Sequence, residues 1–295
     1  QEAQQMKTVI RQDLLDTLLS VTPGLTKSEE NVQQSSCFVF KDGRVFTYNE
    51  EILCSAPCDI GVEGAVSADP LISLLQKMNE KELSIEADKR AFKVKGQNKE
   101  GSIKFDVEVT LPVDQVTVPE KWKKLPDGFA DAIDLVQNCC SKSDLHFGLR
   151  CVHFTADSIE ACDNVQAARV MIATGLSGVS LMRREAAVHI GKAKVTKYAE
   201  DKNWLHFRSP NQRVISCRRY LEKYPDLSGV FSVKGTPIQI PKGLAEATEK
   251  AAIFTTSSKV SVTAQETVSV KLSPGKLKIS GEGELGWYRE TEKID

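Results

Sequence analysis

Apolar positions along this chain follow two spacings, and the order in which they alternate recurs. Three segments carry apolar residues at helical spacing: RQDLLDTL from Arg11, PDGFADAI from Pro126 and PKGLAEAT from Pro241. They share one phase, with Leu14, Phe129 and Leu244 recurring about every 115 residues. Behind each comes an alternating strand pattern, a short polar turn and a second strand, in FVFKDGRVFTYN, VHFTADSIEACD and VKLSPGKLKISG. Phe40 and Val45, Phe154 and Ile159, and Leu272 and Leu277 each bracket a four-residue turn, and Asp42-Gly43 and Pro274-Gly275 are turn formers of the kind a hairpin needs.

The first two units continue in parallel. Unit one has a second helical pattern, VSADPLISLLQKM, with Leu71, Leu74, Leu75 and Met78 on one face, then strands ELSIEA, AFKVKG and GSIKFDVEV. Unit two has VSLMRREAAVHIGK, then KVTKYA, WLHFRS and RVISCRRYL. The pattern predicts an α+β chain of tandem repeats, each with two helices packed on antiparallel sheets, over residues 1–117, 118–231 and 232–295. The third repeat holds only the first half of the pattern, so the reading frame is expected to continue for about 60 to 75 residues more. Met6, followed by KTVIRQDLL, reads as a natural start.

Composition narrows the function. The 295 residues include 39 basic and 40 acidic side chains, so any contact with nucleic acid has to come from local placement of Lys and Arg. A pI near 6.5 argues against a tight, non-specific DNA binder. No stretch approaches the roughly 20 apolar residues of a membrane span, and Gln1 to Ile10 lacks a signal-peptide core, which together read as cytosolic. The eight Cys and four His form neither CxxC nor HxxxH pairs, so reduced thiols are expected and neither a metal nor a cofactor. A nucleophile elbow, a Walker loop and a dinucleotide fingerprint are missing, which leaves no catalytic constellation. Glu282, Glu284, Glu290 and Glu292 look in isolation like an acidic pair site, but their even spacing predicts a single solvated strand face.

Three short motifs then point to a family. Tyr224-Pro225-Asp226 followed by Gly229-Val230 resembles FPD(Y)xxV; Lys250 to Thr255 (KAAIFT) resembles RAAIL(S); and Ala161 to Gln166 (ACDNVQ) sits where ATDGHR is found, with Asp163 kept. Tandem order and motifs together resemble, over essentially the whole chain, the sliding clamp known as the β subunit of bacterial DNA polymerase III, and its phage relatives. Asn164, Val165 and Gln166 depart from the family's Gly, His and Arg, a difference that suits a divergent clamp with altered cleft chemistry.

The resemblance implies a non-catalytic processivity factor, a ring-shaped homodimer around double-stranded DNA that works with a DNA polymerase and a clamp loader and has no membrane contact. A ring retains DNA by topology, so only modest positive charge is needed on its inner helices. The basic residues expected there are Lys27, Lys77, Arg183, Arg184, Lys192 and Lys250, although each by itself is equally an ordinary solvated helix residue. The family's partner-peptide cleft, at the junction of the second and third domains, maps onto Cys162, Asn164, Val165, Gln166 and Ala167 on one side. Pro225, Gly229 and Val230 lie on the other, with Phe147 beside them. Pro225 is expected to end a strand and to leave Gly229 and Val230 at that strand's end. Without the resemblance, Val165, Ala167 and Val230 would read as plain interdomain core. Two rival readings remain at this level. One is a DNA-metabolism enzyme or accessory subunit whose active site lies outside this sequence, and the other is an adhesive β-rich module, which the unpaired cysteines oppose.

Overall fold

The computed structural model describes residues 6–26, 32–143, 145–232, 234–235, 239–255, 267–284 and 286–294. They form two compact units, Gln1–Asp226 and Leu227–Asp295. In the first unit β1 (Lys7–Ile10) and α1 (Arg11–Ser20) lead into β2 (Cys37–Lys41), β3 (Arg44–Tyr48), β4 (Ile52–Pro57) and β5 (Gly64–Ser67). Then come α2 (Ala68–Lys77), β6 (Glu82–Ala87), β7 (Ala91–Lys95) and β8 (Glu100–Asp106). The same order follows again. β9 (Lys123–Lys124) and α3 (Phe129–Val136) precede β10 (Cys151–Phe154), β11 (Ser158–Cys162), β12 (Ala167–Met171) and β13 (Ser180–Arg183). α4 (Arg184–Lys192), β14 (Lys197–Glu200), β15 (Trp204–Arg208) and β16 (Val214–Arg218) complete it. Strand, helix, four strands, helix and three strands thus occur twice, which is the α+β repeat the periodicity predicts.

Local chemistry sets the hairpins. Phe40 faces Val45, Phe154 faces Ile159 and Leu272 faces Leu277 as direct cross-strand partners. In the first hairpin Lys41 pairs with Arg44, so Asp42 and Gly43 form a two-residue loop with φ of 50° and 68°. Positive φ at both positions matches the right-handed twist of the strands, which Asp-Gly tolerates. In the third hairpin Pro274 fixes the first turn position and Gly275 takes φ 73° at the second.

Two sheets form in the first unit. The larger runs β1-β6-β7-β8-β5-β2-β3-β4-β16-β15-β14-β9, and the smaller runs β12-β11-β10-β13. The β4–β16 pairing, with Ser55 opposite Val214 and Cys54 opposite Ile215, makes one sheet out of strands from both repeats. Inside it lies a continuous core to which all four helices contribute: Leu14, Leu15 and Leu18 from α1, Leu71 and Leu75 from α2, Phe129, Ile133 and Val136 from α3, and Ala187 and Ile190 from α4. Phe129 packs at 6.1 Å from Phe154 and 6.0 Å from Phe207, joining helix to both sheets. A Cβ on Gly191 would come within 2.9 Å of the Asp134 Cβ, so the missing side chain is what lets α4 lie against α3. On the opposite face of the large sheet Leu111, Val113 and Val116 cover Val39, Leu53 and Trp204. The segment linking the two repeats therefore serves as a second hydrophobic layer.

The second unit holds α5 (Ser228–Phe231), α6 (Leu244–Ala252) and a three-stranded sheet of β17 (Ser269–Ser273), β18 (Lys276–Gly283) and β19 (Gly286–Lys293). Ala247 and Ala251 of α6 pack on Leu277 and Ile279. This corrects the acidic cluster. Glu290 and Glu292 are the partners of Ile279 and Leu277, so they occupy the half-buried face toward α6, while Glu282 lies opposite the exposed Trp287. The hairpin between the two pairs resets the alternation, which even spacing in sequence cannot reveal.

Candidate functional site

The turn from β11 to β12 is built by one carboxylate. Asp163 Oδ1 accepts hydrogen bonds from the backbone N–H of Val165 at 3.0 Å and of Gln166 at 2.9 Å. Burial alone would raise the Asp163 pKa, but these backbone donors outweigh it and hold the carboxyl below its usual range. Asn164 takes φ 76°, the left-handed conformation that Gly or Asn adopts most readily, so Asn can stand where the resemblance has Gly. Val165 projects from the turn with 92% of its surface exposed. Gln166 turns back, its Nε2 donating to the Asn138 carbonyl at 3.1 Å.

Tyr224 packs beneath this turn. Its hydroxyl accepts the Cys162 N–H at 3.0 Å and donates to Cys162 Sγ at 3.6 Å, and its ring stacks on His153 at 4.4 Å. His153 Nδ1 lies 2.7 Å from Glu160, whose other oxygen accepts from Arg169 Nε at 2.5 Å. These three residues are cross-strand neighbours on β10, β11 and β12. Burial pushes the Glu160 pKa up, yet the His153 and Arg169 hydrogen bonds more than offset it and keep the carboxylate ionised. The network is a rigid floor for Tyr224 and the residues after it.

Above that floor lies an open hollow of about 360 Å³, lined by His146, Phe147, Gly148, Leu149, Asn164, Glu222, Lys223 and Pro225. Phe147 is held edge-on to Tyr220 at 4.7 Å. Of the expected cleft residues, Phe147, Asn164 and Pro225 meet here; Cys162 is buried below, and Val165, Gln166 and Ala167 continue the adjoining turn and strand. Gly229 and Val230 belong to the second unit, in α5, with Val230 54% exposed. The expectation of a strand end is thereby corrected: β16 stops at Arg218, seven residues before Pro225, and one helical turn follows. His146, Gly148, Leu149, Glu222 and Lys223 were not identified from sequence as cleft residues. The run after β16, LEKYP, carries no periodicity that would have marked it. Leu145, Val165 and Leu221, each next in sequence to a lining residue, are 84%, 92% and 61% exposed.

The residues expected to face DNA behave unequally. Lys77 and Lys192 are exposed at the ends of their helices. Arg183 is half-buried, bonded to Glu51 at 3.3 Å and beside Glu185 at 3.4 Å, while Arg184 Nε donates to the Gln137 carbonyl at 3.1 Å. Those two guanidiniums hold the fold together. Lys250 pairs with Glu246 at 2.8 Å one helical turn away, and Lys27 lies outside the described residues. Helices α1 to α4 and α6 carry five basic residues (Arg11, Lys77, Arg184, Lys192, Lys250) against eight acidic (Asp13, Asp16, Asp69, Asp131, Asp134, Glu185, Glu246, Glu249), a net of −3. Asp16, Asp131 and Glu246 occupy the same helical position, two residues beyond Leu14, Phe129 and Leu244, and all three are exposed.

Among the described residues no group of His, Cys, Asp and Glu is placed to hold a metal ion, and no helix is long and apolar enough to cross a membrane. All eight cysteines are free thiols. Burial pushes Cys54, Cys58 and Cys151 up to about 12, which leaves these thiols protonated and unreactive.

No protein-family model matches the sequence, and no curated protein does. Among solved structures the chain is similar to the DNA polymerase III subunit beta from Pseudomonas aeruginosa, at 14% identity over 99% of this chain and 84% of that one, with a TM-score of 0.74. It is similar also to a putative DNA polymerase III beta subunit from Eubacterium rectale (12% identity, 98% and 84% covered, TM-score 0.77) and to the DNA polymerase sliding clamp from Bacillus subtilis (13%, 98% and 84%, 0.76). At this identity the likeness is one of fold.

Proposed function

We propose that this chain, which has the sliding-clamp fold, acts as a DNA sliding clamp: a non-catalytic processivity factor that encircles duplex DNA and tethers a replicative DNA polymerase by a hydrophobic peptide. The observation that carries the reading is the fold likeness over 98–99% of the chain. Residues 1–117 and 118–231 then serve as two clamp domains and 232–295 as the first half of a third, and two copies of the full-length protein joined head to tail close a six-domain ring, since unlike ends can meet in a heterologous contact. Its place is the cytoplasm of a bacterial or phage-infected cell, with a clamp loader and a polymerase as partners.

The hollow at Phe147, Asn164 and Pro225 is the docking place for the partner peptide, with Cys162, Gln166, Ala167, Gly229 and Val230 as further cleft residues. What supports it is the exposed apolar trio of Leu145, Val165 and Leu221 around an otherwise polar rim, a distribution that marks an interaction site on a soluble surface. Lys27, Lys77, Lys192 and Lys250 are the wall cations of this reading, with Arg183 and Arg184 contributing charge from fixed positions. The net of −3 over the helices fits retention by topology and not by adhesion.

The test is retention on DNA circles. After incubation with a clamp loader, ATP and nicked circular duplex, the full-length protein should co-elute with the circle and be released when the circle is cut once. Equal retention on circular and linear duplex would overturn the reading.

A further inference from the structure

The surplus of positive charge that the helices lack is found on the opposite face of the large sheet. Lys124 of β9 is the register partner of Lys197 of β14, and Lys197 is the register partner of Arg208 of β15. Their chain neighbours Leu125, Tyr198 and Phe207 point into the core, so these three cations stand together on the outer face in one cross-strand row. At about 5 Å between adjacent strands the row spans on the order of 10 Å.

This arrangement costs stability. Like charges directly opposite one another in a sheet repel, and among the described residues no carboxylate lies within 4.0 Å of Lys197 or Arg208. Lys124 has only the wholly exposed Asp127 at 3.8 Å. A further cation extends the patch: Arg44 donates to Ser55 Oγ at 3.0 Å and to the Gln212 carbonyl at 3.1 Å, without a carboxylate partner. Burial, and then the nearby Arg208 charge, lower the Arg44 pKa.

Two donors in the patch also lack acceptors. The Arg208 guanidinium lies over the Trp122 ring at 3.9 Å from its centre. Trp122 Nε1 and Arg208 Nε are both shielded from solvent, and neither has a hydrogen-bond partner. Lys, Arg and the indole N–H can only donate, so the whole group presents donors and no acceptor. These two donors lie out of an external ligand's reach, so it is the line of cations on the sheet face that calls for a partner, a line of anions.

We propose that this face binds single-stranded nucleic acid, with backbone phosphates on Lys124, Lys197 and Arg208 and one unpaired base stacked at the Trp122–Arg208 pair. A single strand is favoured over a duplex because only an unpaired base has a free face to offer an aromatic ring or a guanidinium plane. Nucleic acid is favoured over an acidic peptide because the stacking pair gives a peptide carboxylate nothing beyond charge. This binding needs no ring and no partner peptide, so it stands or falls apart from the clamp reading.

The experiment is fluorescence anisotropy of a labelled oligothymidylate of about 20 nucleotides, long enough to cover a site of this size. Lys197→Glu with Arg208→Glu should weaken binding at least about tenfold at low salt and flatten the salt slope by about 1.4, that is, two phosphate contacts on a single strand. The milder Lys124→Gln with Lys197→Gln leaves the Arg208–Trp122 stack in place, so it guards against misfolding, and it should still weaken binding. Lys89→Glu with Lys104→Glu makes the same charge change elsewhere on the first unit and should leave binding unaltered. Tryptophan emission should change on titration with the oligonucleotide and should not do so in Trp122→Phe. Equal loss in the Lys89/Lys104 variant, no loss in the row variants, or displacement by poly-glutamate at equal charge concentration would each overturn the proposal, the last by making the partner an acidic peptide.

Discussion

Tyr224 and Cys162 stand where the FPD and ATDGHR patterns have Phe and Thr, and the two side chains touch. Tyr224→Phe tests whether that double departure is one compensated exchange. The ring can keep its stacking on His153 at 4.4 Å, so the change removes little beyond one oxygen. That oxygen is the acceptor for the Cys162 N–H at 3.0 Å, in a site where Tyr224 is 8% exposed and Cys162 6%. Loss of the acceptor strands a buried donor, which costs about 1–3 kcal/mol. For a unit of this size each kcal/mol moves the melting temperature by about 2–4 °C, so a central value of ~2 kcal/mol predicts a fall of about 4–8 °C. Urea unfolding followed by circular dichroism should show the midpoint falling with the m-value unchanged, since no additional surface is exposed. Cys162→Thr removes the thiol that accepts from the Tyr224 hydroxyl at 3.6 Å. In the double variant the two losses should fall short of their sum by more than about 0.5 kcal/mol, the mark of a shared contact. A Tyr224→Phe protein within about 0.5 kcal/mol of the parent, or strictly additive losses, would refute the reasoning.

The remaining predictions concern the network, the turn and the helices. Glu160 has its folded pKa held below the ordinary glutamate value of 4.5, so its contribution is complete above that pH and is lost as pH falls through the folded value; Glu160→Gln should destabilise the protein at pH 7 and show a shallower loss below about pH 4.5 than the parent in acid titration of thermal stability. Val165→Asp, at a 92% exposed turn position, should leave the melting temperature within about 1 °C while reducing affinity for a polymerase-derived hydrophobic peptide at least about tenfold; unchanged affinity by anisotropy removes this turn from the cleft. Asp16→Lys, Asp131→Lys and Glu246→Lys together turn three exposed acids at one repeated helical position into cations, and should slow dissociation from nicked circles more at low salt than at high; retention without salt dependence would show that these positions do not face DNA.

Much of this protein was legible because its determinants are local. The recurrence of Leu14, Phe129 and Leu244 marked three helices, and the turns at Asp42-Gly43 and Pro274-Gly275 set hairpin registers down to the facing pairs Phe40–Val45 and Leu272–Leu277. Residues within a few positions of one another decide such features, through φ, hydrogen bonding and side-chain period. The acid cluster misled for the same reason: alternation holds within one strand, and the hairpin between Glu282 and Glu290 starts it afresh. What only tertiary structure decided involves residues far apart in the chain. The β4–β16 pairing that merges two repeats into one sheet, the capture of Arg183 by Glu51, and the gathering of residues 146–149, Asn164 and 222–225 around one hollow depend on which edges and surfaces meet. So does the row of Lys124, Lys197 and Arg208, three unremarkable surface residues in sequence whose like charges become neighbours because three strands align. Periodicity says which face of an element is apolar; it does not say which other element will cover it, because that choice is made by shape and burial over the whole unit.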